Sequence, residues 1–313
     1  MEEGVRPPMK VVFVGSGAFG VPTLRAIAGG ASHELLGVIT KPGRPAGRGQ
    51  KIRQTPIFEA AREFESEVLT PNSINDEVGQ KWLDEKSPDA LVVIAYERLL
   101  SQRVLSGRFA CNLHASLLPR WRGAAPIHRA VLSADPTIGV SVIELAPSMD
   151  SGAIFARKSV PRDPLVTTGE WHDRLADWGP ELILRTLDAF SGGKLTPIPQ
   201  DPRSATHAHK LVKSEGVFDP NLPSELALAQ IHGLEPWPRC SATVAGVRVQ
   251  LRRAKVGQAG PECAGLVDEF GQFRCSDGWI QVTEIQPESR KSMCFTDFAR
   301  GLACKWPQPM QGV

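Results

Sequence analysis

The sequence has neither the paired cysteine spacing of zinc-binding and disulfide-framed proteins nor the large net positive charge of many nucleic-acid-binding proteins. None of its six cysteines forms a C-x-x-C pair. This argues against a zinc site or a disulfide framework and fits reduced thiols in a cytosolic chain. The formal net charge is only +2, so a surface that binds nucleic acid has to be local.

Long apolar segments are also missing. The longest apolar run, 90–95, is far shorter than the roughly 20 residues that cross a bilayer. Residues 1–8 carry acids where a signal or transit peptide carries bases. We therefore expect a cytoplasmic protein with no membrane contact. With 42% hydrophobic and 22% charged residues in 313, the composition is that of a folded chain long enough for two domains.

The first predicted strand starts after an extension of residues 1–8 and ends in a G-x-G-x-x-G pattern at 15–20. A strand, this pattern and a helix together match the dinucleotide-binding fingerprint. An NAD-linked oxidoreductase would need an acidic residue after the second strand, 34–39, and none follows it. An NADP-linked oxidoreductase, in which Arg44 would bind the 2′-phosphate, is still compatible with the missing acidic residue. The other interpretation is that the glycines only permit a tight turn.

A basic stretch rich in proline and glycine follows the second strand. It contains no acidic residue, and its composition predicts an irregular cationic loop. Such a loop suits a polyanion such as an RNA backbone, and the alternative is a solvated loop without a partner. Its basic residues are Lys41, Arg44, Arg48, Lys51 and Arg53.

The densest group of polar residues follows a predicted strand that ends near residue 114. Asn112 and His114 are two residues apart, so their side chains leave the same face of a strand and can reach one reacting atom. Tyr96 ends another apolar strand, and Asp150 lies in the loop after a third. Ligands bind at the carboxyl ends of strands in open α/β sheets, which makes this region the predicted active site.

The run from Asn112 to Ile127, N-L-H-A-S-L-L-P-R-W-R-G-A-A-P-I, resembles the signature of the methionyl-tRNA formyltransferases. These belong to the wider family that transfers formyl groups from 10-formyltetrahydrofolate. M-D-S-G around Asp150 is similar to the M-D-x-G motif of the family, and K-P-G-R-P-A-G-R-G resembles its tRNA-contacting loop. H-K-L-V-K-S-E-G and P-W-P resemble its C-terminal domain. One departure is Glu97, where the family usually has glycine after tyrosine.

The resemblance implies a role for each of these groups. The expected catalytic residues are Asn112, His114 and Asp150. Asn112 and His114 would donate hydrogen bonds to the oxyanion of a tetrahedral intermediate, Asp150 would orient His114, and no metal is required. The expected folate contacts are Ser116, Leu117, Leu118, Pro119 and Tyr96. The expected tRNA contacts are Lys41, Arg44, Arg48, Lys51, Arg53, Arg120, Arg122, Arg248 and Arg252.

The predicted fold is α/β with two domains. Residues 9–190 form a Rossmann-like formyltransferase domain with a mainly parallel sheet, in which a capping box at 167–170 opens one long helix kinked at Pro180. Residues 191–206, rich in proline, glycine and serine, form a linker. Short alternating strands broken by glycine predict a small β-barrel in 207–313. The resemblance implies that this barrel is an OB-like tRNA-binding domain.

The predicted function is formyl transfer from 10-formyltetrahydrofolate, as co-substrate, to the free amino group of methionine on initiator methionyl-tRNA, for initiation of translation. We expect a monomer. Three alternatives share part of the pattern. An amino-sugar or nucleotide formyltransferase would lack the basic loop and the barrel. A formyltetrahydrofolate hydrolase would use water as acceptor, and an RNA-binding protein without enzymatic activity would not need the catalytic residues.

Overall fold

The computed structural model describes residues 8–30, 32–46 and 49–312. Most of the predicted N-terminal extension, and Arg48 of the basic stretch, lie outside the described residues. The strands are β1 (Lys10–Gly15), β2 (Glu34–Ile39), β3 (Arg44–Ala46), β4 (Lys51–Arg53), β5 (Val68–Leu69), β6 (Ala90–Ile94), β7 (Phe109–His114), β8 (Arg122–Gly123), β9 (Thr137–Glu144), β10 (Ile154–Pro161), β11 (His207–Ala208), β12 (Cys240–Val244), β13 (Val247–Val256), β14 (Leu266–Val267), β15 (Gln272–Arg274), β16 (Trp279–Pro287), β17 (Met293–Cys294) and β18 (Gln308–Gly312). The helices are α1 (Val21–Gly29), α2 (Pro56–Arg62), α3 (Glu77–Lys86), α4 (Gln102–Leu105), α5 (Pro126–Leu132), α6 (Thr168–Ala176), α7 (Gly179–Ser191), α8 (Ser224–Gly233) and α9 (Phe295–Arg300).

The chain divides into two compact units, and the division is not a single cut in the sequence. The first unit contains residues up to 124, 139–159 and 172–207, and the second contains 125–138, 160–171 and 208 onwards. Residues 125–138 join the second unit because Leu132 of α5 packs against Gly233 at the end of α8. The predicted catalytic domain is a single continuous segment, 9–190. Its boundaries stay a prediction.

The first unit is built on a seven-stranded sheet of order β10-β9-β7-β6-β1-β2-β5. The strands β7, β6, β1, β2 and β5, which are adjacent in this order, run parallel to one another. On the other side of β7, β9 pairs with it antiparallel. Every residue of the central strand β6 is buried, as expected for a strand covered on both faces. The predicted Rossmann-like, mainly parallel sheet is confirmed.

The turn after β1 has no room for a side chain at Gly15 or Gly20. A Cβ added at Gly15 would lie 2.4 Å from the carbonyl oxygen of Ile94, and one at Gly20 would lie 2.9 Å from the ring of Phe13. These glycines allow the turn to pack closely against Ile94 of β6 and the ring of Phe13. The G-x-G-x-x-G pattern therefore has a packing explanation that needs no dinucleotide.

The basic stretch is more regular than predicted. Strands β3 and β4 form an antiparallel hairpin in which Arg44 pairs with Arg53 and Pro45 with Ile52. Proline is compatible with this pairing because each strand of a two-stranded sheet is an edge, where a missing N–H can face outward. The expectation of an irregular loop over these residues is wrong.

The predicted long helix is two helices, α6 and α7. Pro180 does not kink one helix but lies in the first turn of α7, where its missing N–H costs no hydrogen bond. The predicted capping box before α6 is present, with Thr167 N donating to Glu170 Oε2 (2.8 Å) and Glu170 N to Thr167 Oγ1 (3.3 Å). Within the described ranges, no helix is both long and apolar enough to cross a membrane.

The second unit centres on a closed antiparallel barrel of six strands, in the order β13-β12-β18-β14-β15-β16. Pairing of β13 with β16 closes the barrel. The core is filled by buried side chains that include Phe218, Phe273 and Phe295. The predicted C-terminal barrel is confirmed. Strand β18, which no sequence pattern predicted, pairs with both β12 and β14 and completes it.

Candidate active site

The carboxyl end of β7 carries the first two predicted catalytic residues. Asn112 and His114 alternate with buried Leu113 along the strand, so both leave the same face. Asn112 lies opposite Val93 of β6 and His114 opposite Ser141 of β9. Neighbouring strands on both sides thus fix the backbone that carries this amide and this imidazole.

The imidazole of His114 is held between two loops. Its Nε2 donates to the carbonyl oxygen of Trp121 (2.9 Å), and its Nδ1 lies 3.5 Å from Oδ2 of Asp150. The side chains of His114 and Asp150 are 7% and 15% exposed, so water competes little for this contact. This distance is longer than a hydrogen bond, so a small movement of either side chain would bring Nδ1 and Oδ2 into hydrogen-bond distance.

The third predicted residue, Asp150, lies in the loop between β9 and β10. Its Oδ2 accepts a hydrogen bond from the backbone N–H of Gly123 (2.8 Å). Gly152 is buried, and a Cβ there would come within 1.9 Å of the carbonyl oxygen of Glu144. The loop is therefore packed tightly against the end of β9. The structure brings Asp150 to His114, with Asn112 on the same strand face as His114.

The segment predicted as a linker supplies two supporting contacts that sequence reasoning missed. Gln200 Nε2 donates a hydrogen bond to the backbone carbonyl of Asp150, 50 residues away in sequence. Thr206 Oγ1 accepts a hydrogen bond from the N–H of Trp121 (2.9 Å), 85 residues away. Both residues lie in a stretch without periodicity or motif, so the sequence carries no signal for either contact.

The predicted folate-binding turn after β7 is stabilised by Ser141. The Ser141 hydroxyl donates to the carbonyl oxygen of Ser116 (2.7 Å) and accepts from the N–H of Leu118 (3.1 Å). Ser116 and Leu118 are buried, whereas Leu117 and Pro119 are partly exposed. Of the four, Leu117 and Pro119 offer the larger surface to a ligand.

Tyr96, the remaining predicted folate contact, is a core residue here. Its side chain is 3% exposed, and its hydroxyl accepts a hydrogen bond from the N–H of Ile74 (3.2 Å). Burial raises the pKa of this phenol. The contacts describe a packing role, and its predicted contact with folate stays a prediction.

The predicted tRNA-binding residues of the basic stretch fall into two groups. Arg44, Lys51 and Arg53 are exposed on the β3–β4 hairpin. Lys41 is largely buried, and its Nζ lies 2.6 Å from the carboxylate of Glu97. Glu97 stands at a position that departs from the family pattern, and here it is the ion-pair partner of Lys41.

The other predicted tRNA-binding arginines have varied surroundings. The Arg120 guanidinium lies 4.9 Å from the ring centroid of Trp121, and Arg122 donates to Gln200. Arg248 is exposed on β13. Arg252 pairs with the carboxylate of Glu235 at 2.7 Å, and burial raises the pKa of that carboxyl. Contact of these arginines with tRNA stays a prediction.

Cys111, next to Asn112, is not suited to be a nucleophile. It is fully buried, and this burial raises the pKa of its thiol to about 12, so little thiolate forms near neutral pH. Over the described parts of the chain, no group of three or more His, Cys, Asp or Glu side chains is arranged to hold a metal ion. That the reaction needs no metal stays a prediction.

Two family models match this combination of a Rossmann-like domain and a closed barrel. The formyl transferase family matches residues 9–187, and the formyl transferase C-terminal domain family matches residues 210–303. Fold and site thus define an enzyme of the formyltransferase class, which uses folate-derived formyl donors.

Comparison with individual relatives identifies the family within the formyltransferase class. The chain is 38% identical over 300 residues to the methionyl-tRNA formyltransferase of Paracoccus denitrificans, covering 94% of this chain and 98% of the relative. It belongs to the methionyl-tRNA formyltransferases, which confirms the family predicted from the run 112–127.

Solved structures share the fold at lower identity. One is an N-formyltransferase from Helicobacter canadensis in complex with folinic acid and dTDP-3-aminofucose, with a TM-score of 0.68, 14% identity, and coverage of 89% of this chain and 99% of that one. Another is HypX from Aquifex aeolicus in complex with tetrahydrofolic acid, with a TM-score of 0.63, 16% identity, and coverage of 93% and 47%.

Proposed function

We propose that Asn112, His114 and Asp150 catalyse transfer of the formyl group of 10-formyltetrahydrofolate to the free amino group of methionine on initiator methionyl-tRNA. The observation that carries this proposal is the His114–Asp150 contact, 3.5 Å between Nδ1 and Oδ2, beside the strand face that bears Asn112. The product serves initiation of translation, and we place the enzyme in the cytoplasm as a monomer.

The reaction needs a fixed hydrogen-bond donor for the oxygen of the formyl group. When the amine attacks the formyl carbon, this oxygen becomes an oxyanion, and donors already in position stabilise it best. Asn112 is partly exposed and supplies a side-chain N–H₂ on the face of β7 that also bears His114. When His114 is protonated, its Nδ1–H is a second donor, because Nε2 is already committed to the carbonyl of Trp121.

The same reaction has to move one proton. The attacking amine loses a proton as the new C–N bond forms, and N10 of the folate gains one as the old C–N bond breaks. A carboxylate accepts several hydrogen bonds, so Asp150 can receive the amine proton, directly or through water, while it accepts from Gly123. The Asp150–His114 pair then returns a proton to N10.

Substitution of the catalytic residues tests the roles. We expect Asn112→Ala and His114→Ala each to lower kcat by about 10²–10³, the usual cost of removing an oxyanion donor. Asp150→Asn should lower kcat by about 10²–10⁴, because the proton loses its acceptor. The control is His172→Asn, at a partly exposed histidine of α6. Turnover by His114→Ala close to that of the control would rule out the assignment.

The acceptor is tested separately. The purified protein is mixed with 10-formyltetrahydrofolate and initiator tRNA charged with labelled methionine, and uncharged tRNA is the control. We expect N-formylmethionine only with the charged tRNA. Consumption of the folate regardless of acceptor would instead identify a hydrolase.

A further inference from the structure

The side-chain amide of Gln200 connects the loop of Asp150 with β8, the strand that contains Arg122 and Gly123. Its Nε2 donates to the backbone carbonyls of Asp150 (2.8 Å) and Gly152 (2.7 Å). Its Oε1 accepts from Nε (3.0 Å) and Nη2 (2.7 Å) of Arg122. A glutamine amide offers two donors and two lone pairs, so every hydrogen-bonding position of Gln200 is used.

External contacts of this kind stabilise the backbone conformation of Asp150. Its φ is +52°, in the left-handed region, which residues with a Cβ adopt at a conformational cost, although aspartate tolerates it better than most. The Asp150 carboxylate already accepts from the N–H of Gly123, the residue after Arg122. Gln200 joins the same two segments a second time, from the backbone side, and thereby fixes the position of the carboxylate.

We propose that Gln200 is a positioning residue that holds the carboxylate of Asp150 at its working distance from His114. The inference rests on the proposed function, because it requires Asp150 to move the proton. Gln200 acts through the carbonyls on either side of the Asp150–Gly152 turn. Its removal should therefore change the rate of the chemical step rather than substrate binding.

Two substitutions separate the contacts of Gln200. Gln200→Met keeps the volume and removes all four hydrogen bonds. Gln200→Glu keeps an acceptor for Arg122 but turns an oxygen toward the two carbonyls, so only the Asp150 side is lost. We expect both variants to lower kcat by about 10- to 100-fold, the scale of small misplacements in active sites, with KM little changed.

The matched control is Gln80→Met. Gln80 lies in α3, and its Nε2 also donates to a backbone carbonyl, that of Asn75 (2.6 Å). We expect this variant to keep the native kcat. Thermal melting of every variant confirms that kcat is compared between folded proteins, and Gln200→Glu carries the test if Gln200→Met does not fold.

A double-substitution experiment decides whether Gln200 acts through Asp150. Residues that act as one unit are non-additive, so Gln200→Met should lower single-turnover rates in the native background and by less than about 2-fold in an Asp150→Asn background. An equal loss in both backgrounds, or no loss in the native one, overturns the proposal while the role of Asp150 stands. If Asp150→Asn alone keeps native turnover, the proposed function fails, and the role of Gln200 fails with it.

Discussion

At the scale of single residues, the position of Asp150 depends on the close packing of Gly152. We expect Gly152→Ala to lower the free energy of unfolding by about 1–3 kcal/mol, because its Cβ would lie 1.9 Å from the carbonyl oxygen of Glu144. The same variant should lose activity, since the loop has to move. Urea unfolding and kcat measure the two effects.

Gly29→Ala is the control for this prediction. Its added Cβ would have Phe64 as its nearest neighbour at 3.9 Å, and Gly29 is the last residue of α1. Alanine is favoured over glycine in a helix, so this variant should be neutral or more stable by up to about 1 kcal/mol. A Gly152→Ala protein as stable as the Gly29→Ala protein would contradict the packing argument.

The residues of the site differ in how far the sequence predicts them. The common face of Asn112 and His114 follows from strand periodicity, a local property, and the structure has both on β7. Gln200 and Thr206 reach the site through contacts over 50 and 85 residues of sequence. Such contacts depend on the folded path of the chain, which composition and periodicity do not specify.

At the scale of elements, the start of α6 is held by a charged contact. Glu170 closes the capping box with Thr167 and pairs with Arg253 at 2.8 Å. The hydrogen bond from Arg253 is the main reason that the pKa of Glu170 falls from 4.5 to about 2. A carboxyl with a lowered pKa stabilises the fold above its unfolded pKa, and this contribution disappears as the pH falls toward 2.

Glu170→Gln tests this linkage. Because the pair is partly exposed, we expect the variant to be less stable near neutral pH by only about 0.5–1 kcal/mol. The difference from the native protein should shrink as the pH is lowered from 4.5 toward 2, and urea unfolding over that range measures it. Glu269→Gln, at an exposed position, is the control. A difference that does not change with pH would show that the charge of Glu170 is not responsible.

The sequence predicts an element well where a local pattern of residues defines it. It predicts an element less well where pairing with another strand determines whether the element forms. The buried strand β6 and the capping box are local patterns, and both are present. The β3–β4 hairpin was missed because its proline and glycine content predicts irregular structure, although a two-stranded sheet tolerates proline. Strand β18 is defined by its pairing with β12 and β14 rather than by alternation.

At the scale of the whole molecule, the small net charge of +2 predicts weak long-range attraction to RNA. Binding of tRNA then depends on local groups of basic residues, and the β3–β4 hairpin presents three exposed ones, Arg44, Lys51 and Arg53. Each phosphate contact contributes about 0.7–0.9 to the slope of log affinity against log salt. Replacing all three by glutamine should therefore reduce that slope by about 2–3.

The control for the hairpin variant changes the net charge equally at exposed positions outside the hairpin. Lys81, Arg103 and Arg185 are exposed on α3, α4 and α7, and their replacement by glutamine also removes three positive charges. Initiator tRNA binding is measured by filter retention between about 50 and 200 mM salt, the range over which phosphate contacts dominate. We expect the control to keep nearly the native slope, because the slope reports the phosphates that are neutralised by contact rather than the total charge. Equal slopes for the two variants would mean that net charge, and not the hairpin, attracts the tRNA.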